Sequence, residues 1–369
     1  MKGFEHLPVY IREACGAFAF DGDVVDTSVC GNGHINHTAI VTSDSGKRYI
    51  LQILNTDIFK NPVGVMDNIL AVTAHISQKL QEAGEDIRRG TLTPIPNRQN
   101  PDIYYFWDSS NNFWRAYEFI EGTVCHLVVD SLATFEKVGY AFGDFQCKLA
   151  DFDASVLCES IPDFHHTPKR YAHFEQTVKE DPVGRLETVV DIVALLADRA
   201  PRSEAITKAL ATGELPLRVT HNDTKLSNIL LDQQTEDCVC IIDLDTIMPG
   251  SVLYDFGDAI RSGASTAAED EQDLTRVHFR EDMFKAFAKG FVKGMGQRMT
   301  PAEKAMLPMG AWTIIYEQAV RFLDDYLAGD TYYLIEYDTH NLVRAMTQIQ
   351  LLLELEDRMP DLTAWVETL

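Results

Sequence analysis

The chain has 369 residues, with 56 acids against 32 bases and a net charge of −24 at pH 7. A balance of that sign argues against nucleic acid or an anionic membrane surface as the principal partner. The length suits two lobes rather than one small core, and 46% hydrophobic with 24% charged residues is ordinary for a folded enzyme. There is no N-terminal apolar h-region and no run of about 18 apolar residues, so a soluble, cytoplasmic protein is expected. Among the seven cysteines there is no Cys-x-x-Cys pair. Cys238 and Cys240 stand two apart in an apolar run and would share a strand face as buried thiols rather than bind metal.

In chain order, Leu7, Ile11, Ala14 and Phe18 line one side of a helix predicted over residues 1–20. Strands are predicted at Asp23–Val29, Asn36–Thr42 and Arg48–Leu54, the last two joined through Asp44-Ser45-Gly46. The first two flank a turn carrying Gly31, Gly33 and His34. Pro62 opens a helix with Val65, Ile69, Val72, Ile76 and Leu80 on one face, ending at Gly84. Residues 103–107 and 113–120 read as a hairpin around Asp108–Asn112. Together these describe a small nucleotide-binding lobe over residues 1–121. Residues 122–369 are mainly helical, with helices at 132–151, 173–198, 281–296, 301–328 and 341–357. Two short apolar runs, 229–231 and 238–242, form a hairpin there, surrounded by polar loops. The fold class expected is α+β: a small sheet-containing lobe, then a larger helical one.

The chemistry concentrates at that hairpin. Residues 221–228, HNDTKLSN, hold an H-x-D-x-K-x-x-N pattern directly before the apolar run 229–231. Phosphoryl transfer asks little covalent help of a protein; it needs a positioned hydroxyl, neutralised phosphate charge and oxygen ligands for a metal. Asp223 can accept or orient the proton of an attacking hydroxyl, Lys225 can set an ammonium on the transferred phosphate, and Asn228 can give a carbonyl oxygen to Mg²⁺. His221 fits a loop-shaping role. Asp243, at the end of the run 238–242, is a natural second Mg²⁺ ligand. A literal Asp-Phe-Gly at 255–257 is a decoy: Asp255 follows Pro-Gly and precedes a helix-like stretch, which suits a cap or a loop brace.

These residues resemble the aminoglycoside phosphotransferase and choline kinase superfamily, which shares the bilobal protein-kinase-like fold. Within it, RVTHNDTKLSNILLD, IIDLDTIMPGSVLYDFGDAIRSGAS, EGTV, RFLDDYLAGDTYY and HNLVRAMTQIQL resemble the N-acetylhexosamine 1-kinases, in order from the glycine turn to about residue 352. The resemblance implies ATP and Mg²⁺, with phosphorylation of the anomeric hydroxyl of GlcNAc or GalNAc to the sugar 1-phosphate. By it Asp223 is the base, Asn228 and Asp243 hold magnesium, and Tyr117, Glu118, Phe119 and Ile120 form the hinge against adenine. Sugar contacts would fall on His34, Asp223, Asp243, Arg321 and Tyr332. The residues alone also admit His34 as a turn residue, Tyr332 as a packing residue, and Arg321 as one end of an ion pair with Glu317, Asp324 or Asp325. Asp245 carries no assignment. The expected partner is a small-molecule sugar, with no nucleic acid or membrane, and the chain is expected to be a monomer. A choline, homoserine or aminoglycoside kinase, or a non-catalytic pseudokinase, are the alternatives.

Where protein kinases carry a third-strand lysine paired with a helix glutamate, this chain has Gln52. The helix that follows has Asp67 near its start and no further acid until Glu82. Both halves of that pair are missing together, which leaves Mg²⁺, Lys225 and Arg48 as the expected neutralising charges.

Overall fold

The computed structural model describes residues 9–29, 36–126 and 131–369. Two compact units emerge. The first joins residues 1–125 with 156–162 and 229–248; the second comprises 126–155, 163–228 and 249–369.

The first unit opens with α1 (Val9–Ala17), then β1 (Val24–Val29), β2 (His37–Ser43), β3 (Arg48–Leu54), α2 (Pro62–Ala83), α3 (Ile87–Gly90), β4 (Phe106–Trp107), β5 (Phe113–Glu118) and β6 (Thr123–Val124). An antiparallel sheet runs β1-β2-β3-β5-β4. Alternation along the strands decides its two faces. Val41, Tyr49, Leu51, Trp114 and Ala116 pack with Ala14 and Phe18 into one core. Gln52 and Arg115, a directly opposed pair, take the other parity. The N-terminal helix is shorter than expected and stops at Ala17, because Phe18 pairs as extended backbone with Asn97. Helix α2 runs where Pro62 and Gly84 predict: the Asn61 side chain caps the Gly64 amide, and Gly84 closes the helix at φ 72°. The expected hairpin forms around Asp108, with shorter arms.

Later in the chain, β8 (Ile229–Asp232) and β9 (Cys238–Ile241) pair antiparallel with Ile229 opposite Ile241, and β6 completes a sheet of order β6-β8-β9. Pairing with β6 is why this hairpin clusters with the first unit. Burial pushes up the pKa of Cys240 on β9, as suits an inert thiol.

The second unit holds α4 (Leu132–Lys148), α5 (Thr167–Glu180), α6 (Val190–Arg199), α7 (Ala205–Thr212), β7 (Arg218–Thr220), α8 (Val252–Gly263), α9 (Glu281–Met295), α10 (Pro301–Ala305), α11 (Leu307–Ala328) and α12 (His340–Glu367). Helices α4 and α9 cross with glycines at the contact. A Cβ at Gly290 would lie 1.9 Å from the Glu136 carbonyl oxygen, and one at Gly139 2.2 Å from that of Phe287. Three expected helices differ in extent. The one over 173–198 is two helices, α5 and α6, because Asp181 ends α5 in the left-handed region at φ 40° and Pro182 cannot continue it. The one over 301–328 restarts at Leu307, with Pro308 in its first turn. Helix α12 outruns residue 357 through Pro360, because Leu362 and Val366 remain fully buried beyond it. No helix among the described residues is long and apolar enough to cross a membrane.

Candidate functional site

In the second unit, the loop after β7 is held from beneath by two buried acids of α8. The Asp255 carboxylate, 1% exposed, accepts the backbone N–H of His221 (3.0 Å) and of Asn222 (2.7 Å) and the Gln146 side-chain amide (2.7 Å). Burial pushes its pKa up, against the pull of His221 and of those donors. Asp258 accepts the Thr224 amide at 2.9 Å and pairs with Arg261 at 3.2 Å. Burial works to raise the Asp258 pKa, but Arg261 and Lys225 outweigh it and hold the carboxyl below its ordinary value. The Asp-Phe-Gly aspartate therefore braces the loop from within the first turn of α8, whose cap is Ser251. His221 is fully buried edge-on to Phe142 and Phe145, and its Nδ1 accepts the Asp223 amide at 3.3 Å.

On that frame Asp223, Lys225 and Asn228 come together. The Lys225 ammonium lies 2.7 Å from Asp223 Oδ1, and Asn228 Nδ2 donates to Asp223 Oδ2 (2.9 Å) and to its carbonyl (2.7 Å). Burial works to lower the Lys225 pKa, but Asp223 and Asp258 raise it on balance and keep the ammonium charged. With its amide nitrogen committed to Asp223, Asn228 has its carbonyl oxygen available to a cation. Asn222 takes the left-handed region at φ 64°, which turns the loop so that Asp223 follows at its rim, half-buried.

Arg321 and Tyr332 also come together, in the same unit. The acids that could pair with Arg321 are taken: Glu317 by His165 (2.8 Å) and Thr167 (2.7 Å), Asp324 by His173 (2.7 Å), and Asp325 by the amides of Thr331, Tyr332 and Tyr333. Among the described residues no carboxylate lies within ion-pair distance of Arg321; its hydrogen bond goes to Gln318 at 3.3 Å. The guanidinium stands instead 5.6–5.9 Å from the rings of Phe164, Tyr332 and Tyr333. Asp325 makes that frame by folding the loop after α11 back on itself. Tyr332 keeps 62% of its surface exposed, more than a packing residue needs.

In the first unit, Gln52 lies opposite Thr38 on β2 and Arg115 on β5. Its Nε2 donates to Thr38 Oγ1 at 3.0 Å and its Oε1 accepts from Arg115 Nε at 3.1 Å. Tyr117 is buried at the end of β5, with Glu118 closing the strand and Phe119 and Ile120 following. Arg48 lies over the Phe119 ring at 4.0 Å and pairs with Glu121, so its charge is spent at that segment. Asp243 adopts the left-handed region (φ 61°) and opens a short turn, Leu244–Thr246. Gly31, Gly33 and His34 lie outside the described residues. Among the described residues no three His, Cys, Asp or Glu side chains cluster as a metal site. Mg²⁺ does not require one, since it is commonly held by one or two protein oxygens together with substrate phosphates. Sequence reasoning missed Arg115, Asp258 and Asp325. The signal for Arg115 was present: a lone cation between apolar neighbours in Phe-Trp-Arg-Ala-Tyr.

A model of the phosphotransferase enzyme family matches residues 26–290. Among solved structures, the chain is similar to an aminoglycoside phosphotransferase from Alicyclobacillus acidocaldarius, with 13% identity, a TM-score of 0.64, and 99% of this chain and 98% of that one covered. It is also similar to a microcompartment-associated aminopropanol kinase (17%, TM-score 0.62, 95% and 97%). A third is an amicoumacin kinase solved with AMP-PNP and Ca²⁺ (15%, TM-score 0.58, 94% and 92%). Identities this low speak to fold alone, and that fold is the expected α+β, protein-kinase-like one. With the family model spanning most of its length, the chain belongs to the phosphotransferase enzyme family.

Proposed function

We propose that this protein is a small-molecule kinase that uses ATP and Mg²⁺ to phosphorylate the anomeric hydroxyl of an N-acetylhexosamine, giving the sugar 1-phosphate. The observation that carries the reading is the Asp223 carboxylate, held between Lys225 and Asn228 on a loop braced by two buried acids. Asp223 accepts the proton of the acceptor hydroxyl. Lys225 supplies positive charge for the equatorial oxygens of the transferred group, where charge develops in the transition state. Asn228 and Asp243 are the proposed oxygen donors to Mg²⁺, which when bound neutralises phosphate charge. Tyr117, Glu118, Phe119 and Ile120 are the proposed adenine-facing segment, with Gly31, Gly33 and Gln52 toward the phosphates and His34 toward the sugar.

The choice of a sugar rather than a cationic amino alcohol rests on Arg321. Among the described residues the Arg321 guanidinium has no carboxylate within ion-pair distance, and after burial it is the next influence lowering the pKa of nearby Arg170; such a positive site disfavours an ammonium substrate. It offers donors to hydroxyl and acyl oxygens, while Tyr332 and Tyr333 offer ring faces. A coupled ADP-release assay over GlcNAc, GalNAc, glucosamine, choline and homoserine tests the reading, with phosphorus NMR of the product. Turnover with GlcNAc or GalNAc to a 1-phosphate is expected. A 6-phosphate product, or turnover only with an amino alcohol, would overturn it.

A further inference from the structure

The first unit contains a buried charge pair that the proposed chemistry does not use. Arg115 is 1% exposed and Asp245 4%. Arg115 gives Nε to Gln52 (3.1 Å) and NH1 to Asp245 Oδ1, and Asn36 Nδ2 donates to Asp245 Oδ2 at 2.7 Å. Each oxygen of Asp245 thus has a donor, and the carboxylate, two residues after Asp243, is tied to the sheet through Arg115 and Asn36. Burial works to lower the Arg115 pKa, but the charge of Asp245 beside it outweighs that and holds the guanidinium above its ordinary value.

The pair joins three separate segments. Asn36 stands directly before β2, and its side-chain oxygen also accepts the Asn55 amide at 3.1 Å. Arg115 belongs to β5, beside Gln52 of β3. Asp245 lies inside the turn that Asp243 opens in the left-handed region. Helix α2 fastens the far end of that turn: Asn68 Nδ2 donates to the Ile247 carbonyl at 2.9 Å. A left-handed non-glycine residue costs of order 1–3 kcal/mol and persists where its surroundings over-determine it. The Asp245 and Asn68 anchors supply that determination. The cation missing from Gln52 thus stands one strand over, and its partner comes from the turn rather than from α2.

We propose that Arg115 and Asp245 are positioning residues: their buried pair holds the Asp243 turn in the geometry that binds Mg²⁺ with the nucleotide. This rests on the kinase reading above. The test is calorimetric titration of AMP-PNP, in Mg²⁺ series and in EDTA, into wild type, Asp245→Asn, Arg115→Lys and the paired Arg115→Met/Asp245→Leu. The paired variant removes both charges, a change that buried ion pairs often survive with the fold intact, and circular dichroism checks that it does. Losing an outer-shell partner typically costs about 10–100-fold in metal affinity. The Mg²⁺ midpoint for tight AMP-PNP binding should rise by that order in Asp245→Asn and the paired variant, with the EDTA affinity unchanged. Arg115→Lys should fall between, since it keeps the charge but not the fork. An equal loss in EDTA would mean that the pair contacts the nucleotide directly, and the proposal fails. A folded paired variant with a wild-type midpoint overturns it alone, whereas a wild type indifferent to Mg²⁺ overturns the kinase reading as well.

Discussion

At the residue scale, charge partners separate catalytic candidates from braces. Asp223 is half-buried with two partners, and Asp255 is sealed by three donors, so the two aspartates differ in what a lost charge would do. Asp223→Asn is expected to lower kcat by about 10²–10⁴-fold, the range for a lost general base. Nucleotide affinity, read by calorimetry, should be retained; a variant with near-normal kcat would remove Asp223 from the chemistry. Lys225→Met is expected to cost about 10²–10³-fold in kcat, as for one preorganised donor at a developing charge. The KM for sugar should change little, as steady-state kinetics with each substrate varied would show. Arg48 is no substitute, because Glu121 and Phe119 hold it. The residue-level surprise is Arg321: its helix neighbours Glu317, Asp324 and Asp325 each have another donor, and among the described residues no ion pair to it forms.

At the element scale, two devices carry packing. Helices α4 and α9 approach closely because Gly139, Gly143, Gly290 and Gly294 stand against backbone of the partner helix. Gly290→Ala would drive a methyl into the Glu136 carbonyl, and the helices must separate. Overpacking typically costs about 1–3 kcal/mol, and this contact belongs at the upper end; urea denaturation measures it. The hairpin of β4 and β5 is organised by Asp108, whose carboxylate accepts Trp114 Nε1 (2.8 Å), Asn112 Nδ2 (2.8 Å) and the amides of Ser110 (2.8 Å) and Asn112 (2.9 Å). Burial pushes the Asp108 pKa up, but these donors outweigh it and hold it below the ordinary carboxylate value. A depressed acid stabilises above its unfolded pKa, roughly 3.9, and loses that contribution as pH falls through the folded value. Asp108→Ala should therefore cost about 1.5–3 kcal/mol at neutral pH. The gap between variant and wild type should narrow below about pH 4 in denaturation measured across pH; a pH-independent gap would place the cost in packing instead.

At the scale of the whole chain, a net charge of −24 sets the response to salt. Self-repulsion of so many acids opposes compaction, and salt shortens its reach from about 10 Å at 0.1 M to about 3 Å at 1 M. Raising NaCl from about 0.02 to 0.5 M is expected to raise Tm in a fluorimetric melt. A lower Tm would mean that attractive pairs such as Arg199–Glu356 and Arg218–Glu303 outweigh the repulsion.

Sequence alone located strands β1, β2, β3, β5, β8 and β9, helix α2 from its Pro62 start to its Gly84 end, the hairpin about Asp108, and the loop 221–228, because each rests on local spacing, caps and turn chemistry. It also placed Gln52 in the middle of β3, where the register opposes it to Arg115. The helix expected over 173–198 broke at Asp181 for a local reason: a left-handed residue and the proline after it end α5 despite a continuous apolar pattern. Two things were decided only by tertiary contact. Of the cap and brace readings the sequence left open for Asp255, the brace was selected because Gln146 and two loop amides, far away in sequence, reach its carboxylate. Arg115 found Asp245 130 residues later. A lone buried charge reads as an anomaly in a strand, and only the fold brings the partner that makes its burial tolerable.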